Sequence, residues 1–262
     1  MPYRIFLSVA IGFTAGMMSG LLGIGGGVIV VPALVYLVHL SQRQAHGTSL
    51  VAILLSAVTG ACYYSTHGKV DWLIGTEMAF GGVIGAIIGA KLCSICSNRR
   101  LRQFFGIFLV LIGLRMIADW IINGSSTGNH AQIIDAASFA GGFLVIIAGL
   151  VTGILSGLLG IGGGVIMIPT LVLLLGFPQK LAQGISLAVI VPVSVSGSLM
   201  HYTQGNVRLK VAVWVAIGGF IGSLVGSKIA IGAEEVTLKA MFGLLMLAFG
   251  VSMARPRQAK PA

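Results

Sequence analysis

The chain has 262 residues, of which 56% are hydrophobic and 8% charged, with a mean hydropathy of +1.03. That leaves too little polar material to coat a soluble globule, so the composition is that of an integral membrane protein. The net charge of +10 comes from sixteen Lys and Arg standing singly between apolar segments; without a basic face or interleaved aromatics they read as topology determinants, and nucleic acid is not expected as a partner.

In chain order, Met1–Arg4 followed by Ile5–Leu22 has the outline of a signal peptide. No A-x-A-like cleavage site follows, however, and the run flows into a glycine-rich motif, so it predicts a first membrane helix. Further apolar segments are predicted at 28–40, 47–66, 71–91 and 103–122. A polar linker over 123–136 follows, and then segments at 137–159, 165–176, 184–203, 209–229 and 238–254. The runs lack barrel alternation and predict an all-α fold. The second segment of each half has about 12 residues, which rise roughly 18 Å and fall short of a hydrocarbon core of about 30 Å.

The motif SGLLGIGGGVI occurs twice, at Ser19–Ile29 and Ser156–Ile166, 137 positions apart. At the same offset Ala45, Gly47, Ser49 and Leu50 fall on Ala182, Gly184, Ser186 and Leu187. Gly81, Gly82, Gly85, Gly89 and Lys91 likewise fall on Gly218, Gly219, Gly222, Gly226 and Lys228, without an insertion between Gly16 and Met116. The chain is one duplicated unit, with repeats at 1–122 and 137–262. The Gly-x-x-x-Gly ladders are expected to pack helices closely.

Orientation follows from the cations. Were the first two segments of each half one continuous crossing, seven cations would lie on one side and eight on the other, without bias. If the glycine triplets reverse the chain, each half crosses three times and the halves are inverted. Arg4, Arg43, Lys91, Arg99, Arg100, Arg102, Arg208, Lys210, Arg255, Arg257 and Lys260 then share one side, against Lys69, Lys180, Lys228 and Lys239. The positive-inside rule favours this second arrangement, with both termini cytoplasmic. The expected fold is therefore two inverted repeats, each a glycine-broken re-entrant helix pair plus three transmembrane helices. Ten full spans would give the same charge count, and segment length favours the re-entrant form.

A backbone turn at membrane depth must be buried in protein or line a wet cavity. Beyond each triplet, Gly25–Gly27 and Gly162–Gly164, a short helix opens whose first N–H groups lack intrahelical partners, which suits an anion. Pro32 and Pro169 follow about one turn into these helices. The candidate substrate-binding residues are Gly25, Gly26, Gly27, Gly162, Gly163 and Gly164, with Ser19, Ser156, His46, Gln183, Thr48, Ser49 and Ser186 as lining donors. Hydroxyls and amides donate to an oxyanion without a fixed buried charge. Arg115 and Glu77 fall inside predicted helices, as an anion attractor and a proton carrier respectively. Tyr64, His67, His201 and Gln204 lie near helix ends and are expected at the interface.

P-loop and dinucleotide signatures are missing, as are HExxH, G-x-S-x-G and paired carboxylates, so no enzyme activity, cofactor or metal is expected. Cys93-Ser-Ile-Cys96 is a single C-x-x-C whose second-copy counterparts are Ala230 and Ala233. It leaves a membrane redox protein as a weaker alternative.

Two copies of G-x-x-S-G-L-L-G-I-G-G-G-V-I-x-x-P-x-L, one opening each half, resemble the sulfite exporter TauE/SafE family over nearly the whole chain. The resemblance implies a transporter of small sulfur-containing anions, such as sulfite or organosulfonates, in the bacterial inner membrane. Its partners would be the anionic substrate and the bilayer. An anion channel is the alternative; the anion, direction, coupling ion and oligomeric state stay open.

Overall fold

The computed structural model describes residues 2–92, 98–123, 139–159 and 163–254. Among them are ten α-helices: α1 (Pro2–Leu22), α2 (Gly27–Tyr36), α3 (Gln42–Thr66), α4 (Trp72–Leu92), α5 (Asn98–Asn123), α6 (Phe139–Leu159), α7 (Gly164–Pro169), α8 (Gln179–Thr203), α9 (Leu209–Gly232) and α10 (Glu235–Ala254). Seven of them are long and apolar enough to cross a membrane: α1, α3, α4, α6, α8, α9 and α10. The linker residues beyond Asn123, Cys93, Cys96 and Gly162 lie outside the described residues.

The predicted segments correspond one for one to these helices, with one informative difference. Helices α3 and α8 begin about one turn earlier than the apolar pattern suggests. Their polar first turns are started by Ser41, whose Oγ accepts from Gln44 N at 3.3 Å, and by Pro178 at the cap of α8. Capping chemistry and the fixed φ of proline override the loss of hydrophobic period there.

Two compact units result. One contains α1–α4 and α6–α9, the other α5 and α10, so each unit draws on both repeats. In the first unit α1 packs on α9 and α6 on α4, an exchange of repeat-equivalent partners. The glycine ladders explain the closeness. A Cβ on Gly12 or Gly16 would strike the carbonyls of Val215 or Gly219, and one on Gly149 or Gly153 those of Met78 or Gly82. With no side chain at these positions the helices meet backbone to backbone, which favours Cα–H···O contacts of about 0.5–1 kcal/mol each. α1 and α9 run parallel, as do α4 and α6.

α3 and α8 lie side by side in opposite directions. Gly60 abuts Leu187, and the equivalent Gly197 abuts Leu50. Ser223 of α9 also ties to α3, its Oγ donating to the Ser56 carbonyl at 2.7 Å. In the second unit α5 and α10 are likewise antiparallel, with Gly113 against Leu247 and Gly250 against Val110.

The short helices follow glycine turns. Gly23, Gly25 and Gly26 have φ of 74°, 77° and 75°, and Gly163 has 79°. This left-handed region is one that other residues enter only at a cost. After Leu22 the chain folds back so that Gly26 lies against the carbonyl of Ala15. Pro32 and Pro169 sit at the sixth positions of α2 and α7. That is past the first turn, where a missing N–H is no longer free of consequence. α2 absorbs it and continues to Tyr36, whereas α7 gives way to a π turn at Thr170–Leu174.

Candidate functional site

The two breaks meet. A Cβ at Gly164 would lie 2.6 Å from the Gly23 carbonyl oxygen, 2.8 Å from Ile24 Cα and 2.9 Å from Ser186 Oγ. The opening of α7 therefore presses directly on the first glycine turn. On its other side Gly23 abuts Gln183, and Gly25 abuts Ile190 of α8.

At each break the N-cap glycine carbonyl accepts from the third and fourth N–H groups only. Gly26 takes Ile29 and Val30 at 3.0 Å, while Gly163 takes Ile166 at 3.0 Å and Met167 at 3.1 Å. Among the described residues no acceptor takes the N–H groups of Gly27 and Val28, or of Gly164 and Val165. These four donors sit at fully buried positions. Buried N–H groups are normally paired, so an unoccupied set of this kind is unusual and favours negative charge.

The lining side chains divide into two groups. Ser19 and Ser156, repeat equivalents, are buried with no partner for either Oγ. Ser156 lies against the second break, its Cβ 3.4 Å from the position a Gly163 Cβ would take. An unpartnered buried hydroxyl costs about 1–3 kcal/mol, which a polar occupant would recover. Other hydroxyls are already engaged. Ser186 Oγ donates to the Gly23 carbonyl at 2.9 Å, and Ser49 Oγ to the carbonyl of His46 at 2.8 Å. Thr48 Oγ1 accepts from the backbone N of Arg208 at 3.0 Å and so anchors the chain entering α9.

Gln183 and His46 each join a polar pair. Tyr64 Oη lies 2.9 Å from Gln183 Oε1 and 3.1 Å from the Gly20 carbonyl. The phenol has one hydrogen, shared between these two acceptors, and Gln183 Nε2 is buried without a partner. The repeat-equivalent place holds His201 and His46. His46 and His201 stand where the start of α3 meets the end of α8, a Cβ at Gly47 lying 2.9 Å from His201 Cβ. His201 lies beside the Gly157 backbone, the counterpart of Gly20. Neither of its ring nitrogens is aligned for a hydrogen bond among the described residues, and His46 Nδ1 is also unpartnered.

Tyr64 and His201 are 0% and 1% exposed, which corrects their expected place at the membrane interface. Proximity to a helix end was misleading because α1 and α6 cover those ends. The usable signal was helical spacing: Ala57, Gly60, Ala61 and Tyr64 form one buried stripe, and Ser194, Gly197 and His201 form its counterpart. His67 and Gln204 are exposed.

The two charged candidates are on α4 and α5. Glu77 is half-buried on α4 beside Gly142 at the start of α6, with Oε2 buried and unpartnered. Arg115 is exposed on α5, in the second unit. Among the described residues no cluster of three or more His, Cys, Asp or Glu could hold a metal ion.

The profile of the family described as "Sulfite exporter TauE/SafE" matches residues 2–116 and 144–262, both glycine motifs included. The chain belongs to the TauE/SafE family. A probable membrane transporter protein of Bacillus subtilis, YunE, is 30% identical over 261 residues, covering 94% of this chain and 95% of that protein. Probable membrane transporter proteins of Xylella fastidiosa and Methanocaldococcus jannaschii are each 27% identical, covering 94% of both partners. No solved structure matches the chain. This TauE/SafE member is thus a multi-pass membrane protein from a family of probable transporters.

Proposed function

We propose that this protein is a secondary transporter that exports small sulfur-containing anions, such as sulfite or organosulfonates, across the bacterial inner membrane. The anion is held by backbone N–H groups where the two glycine breaks meet, with Ser19 and Ser156 completing the donor set. The observation that carries this reading is the contact of Gly164 with Gly23 and Ile24, beside four buried N–H donors without acceptors. The chemical class of the anion comes from the family description.

Alternating access follows from inverted repeats, a design that places substrate at their interface. The opposite directions of α3 and α8, and of α5 and α10, support inversion, as does the cation count. The two breaks are read as re-entrant, since α2, at 10 residues, rises only about 15 Å, and both termini as cytoplasmic. Export of an anion from a cell with negative interior is driven by the membrane potential, about 2.3 kcal/mol per charge per 100 mV.

The test is uptake of sulfite, sulfoacetate and isethionate into proteoliposomes under a clamped potential. Saturable flux with counterflow is expected. Non-saturating flux without counterflow would replace the carrier by a channel, and no flux of any of these anions would remove the reading.

A further inference from the structure

We propose that His46 and His201 form the binding site for a proton that travels with the anion. This rests on the transport reading above. Both rings are buried, Gly47 beside His46 abuts the Cβ of His201, and three of their four nitrogens have no partner among the described residues. They stand on the turn of α6, at Gly157 and Leu158, that runs through Ser156 into the second glycine break.

The duplication provides an internal control. At the equivalent place the first break is flanked by Tyr64 and Gln183, the phenol bonded to the Gln183 amide and the Gly20 carbonyl with Gln183 Nε2 left unpartnered, and neither side chain is a base near neutrality. Polar closure of that corner therefore needs no imidazole. Two buried imidazoles add what the other pair lacks, basic nitrogen atoms without partners that can take up a proton.

Charges on the packed elements do not compensate that proton. Arg43 on α3, Arg208 and Lys210 at the start of α9, Lys228 on α9, Lys91 on α4 and Tyr202 on α8 are exposed, as are His39 before α3, Tyr3 on α1 and Tyr36 on α2. Lys180 on α8 is directed to the Ile231 carbonyl, and Glu77 on α4 faces Gly142. α7 has no titratable group, and the buried phenol Tyr64 belongs to the opposite end of α3. An anion at the adjacent break is the compensating charge. Proton and anion then bind with positive, reciprocal coupling and cross together, and with a dianion one negative charge remains for the membrane potential to drive outward.

The test uses the full-length protein in proteoliposomes with the potential clamped, and sulfoacetate, whose charge does not change near neutrality. For one-for-one coupling, an interior more alkaline by about one pH unit sustains roughly tenfold accumulation, and an entrapped pH dye reports proton entry with the anion. His201→Tyr, the residue of the other repeat, is expected to bring the ratio of flux with and without the gradient to one, and His201→Gln to do the same if the phenol does not fit. Wild-type flux indifferent to the gradient, accumulation in acid-interior vesicles, or an undiminished gradient response in a transporting variant overturns the proposal while leaving the carrier intact. Absence of wild-type transport of every anion in the panel is the separate failure of the transport reading.

Discussion

The two ends of the paired helices α3 and α8 were copied from one ancestor and now differ in kind. At one, Tyr64, Gln183 and the Gly20 carbonyl close a neutral hydrogen-bonded network against the first glycine break, with Gln183 Nε2 unpartnered. At the other, His201 and His46 occupy the same positions beside Gly157 and Leu158 with unused nitrogen atoms. Gly47 and Gly184 reinforce the equivalence, Gly47 abutting the Asn206 carbonyl and Gly184 that of Lys69. These helix ends have thus kept their glycine contacts while their side-chain chemistry has diverged. The glycines set how closely the backbones meet, and the flanking pairs set the side-chain chemistry at each end.

That comparison breaks most completely if the two halves point the same way. Single cysteines at the equivalent positions Arg102 and Lys239 are expected to label with an impermeant maleimide from opposite faces, an all-or-none outcome. Labelling from one face would remove both the inversion and the pairing of ends. Next in size are the ladders. Gly85→Val and Gly222→Val drive side chains into the carbonyls of Leu150 and Phe13 respectively. Overpacking typically costs about 1–3 kcal/mol, and more when the obstacle is backbone. Both variants should lose the monodisperse peak in detergent to a similar degree, as befits a feature that stayed symmetric.

The turns give a smaller, unequal effect. Gly26→Ala and Gly163→Ala each add about 1–2 kcal/mol of left-handed strain. At Gly26 the new methyl also meets the Ala15 carbonyl oxygen at 2.7 Å, whereas at Gly163 it meets the movable Met167 Cε at 3.2 Å. Thermal unfolding should show the larger drop for Gly26→Ala. Smallest is the contrast of the pairs themselves. Tyr64→Phe strands Gln183 and the Gly20 carbonyl, at about 1–3 kcal/mol. His201→Phe removes no aligned hydrogen bond and should lower Tm less, reversing their order in the response to a pH gradient.

Much of this architecture was legible in the amino-acid sequence. The ten segments, the duplication and the helices opening at Gly27 and Gly164 follow from hydrophobic runs and a repeated motif, which are local signals. What escaped was long-range. Ser186 and Ser49 read as lining donors, and which acceptor each hydrogen reaches, the carbonyls of Gly23 and His46, does not show in the linear pattern. Only a three-dimensional neighbour decides the first of these. Tyr64 and His201 were assigned to the interface by their distance along the helix, because the covering ends of α1 and α6 leave no mark on the linear pattern. Their repeat equivalence and small-residue stripe were visible and carried the better clue.

The exchange of partners between repeats, α1 on α9 and α6 on α4, also bears on biogenesis. The N-terminal helix leaves the insertion machinery long before Leu209 is translated, and until then its glycine face has only lipid or a chaperone to rest on. Neither half carries the groove its own first helix needs. Stable seating of α1 therefore waits on the second half of the chain.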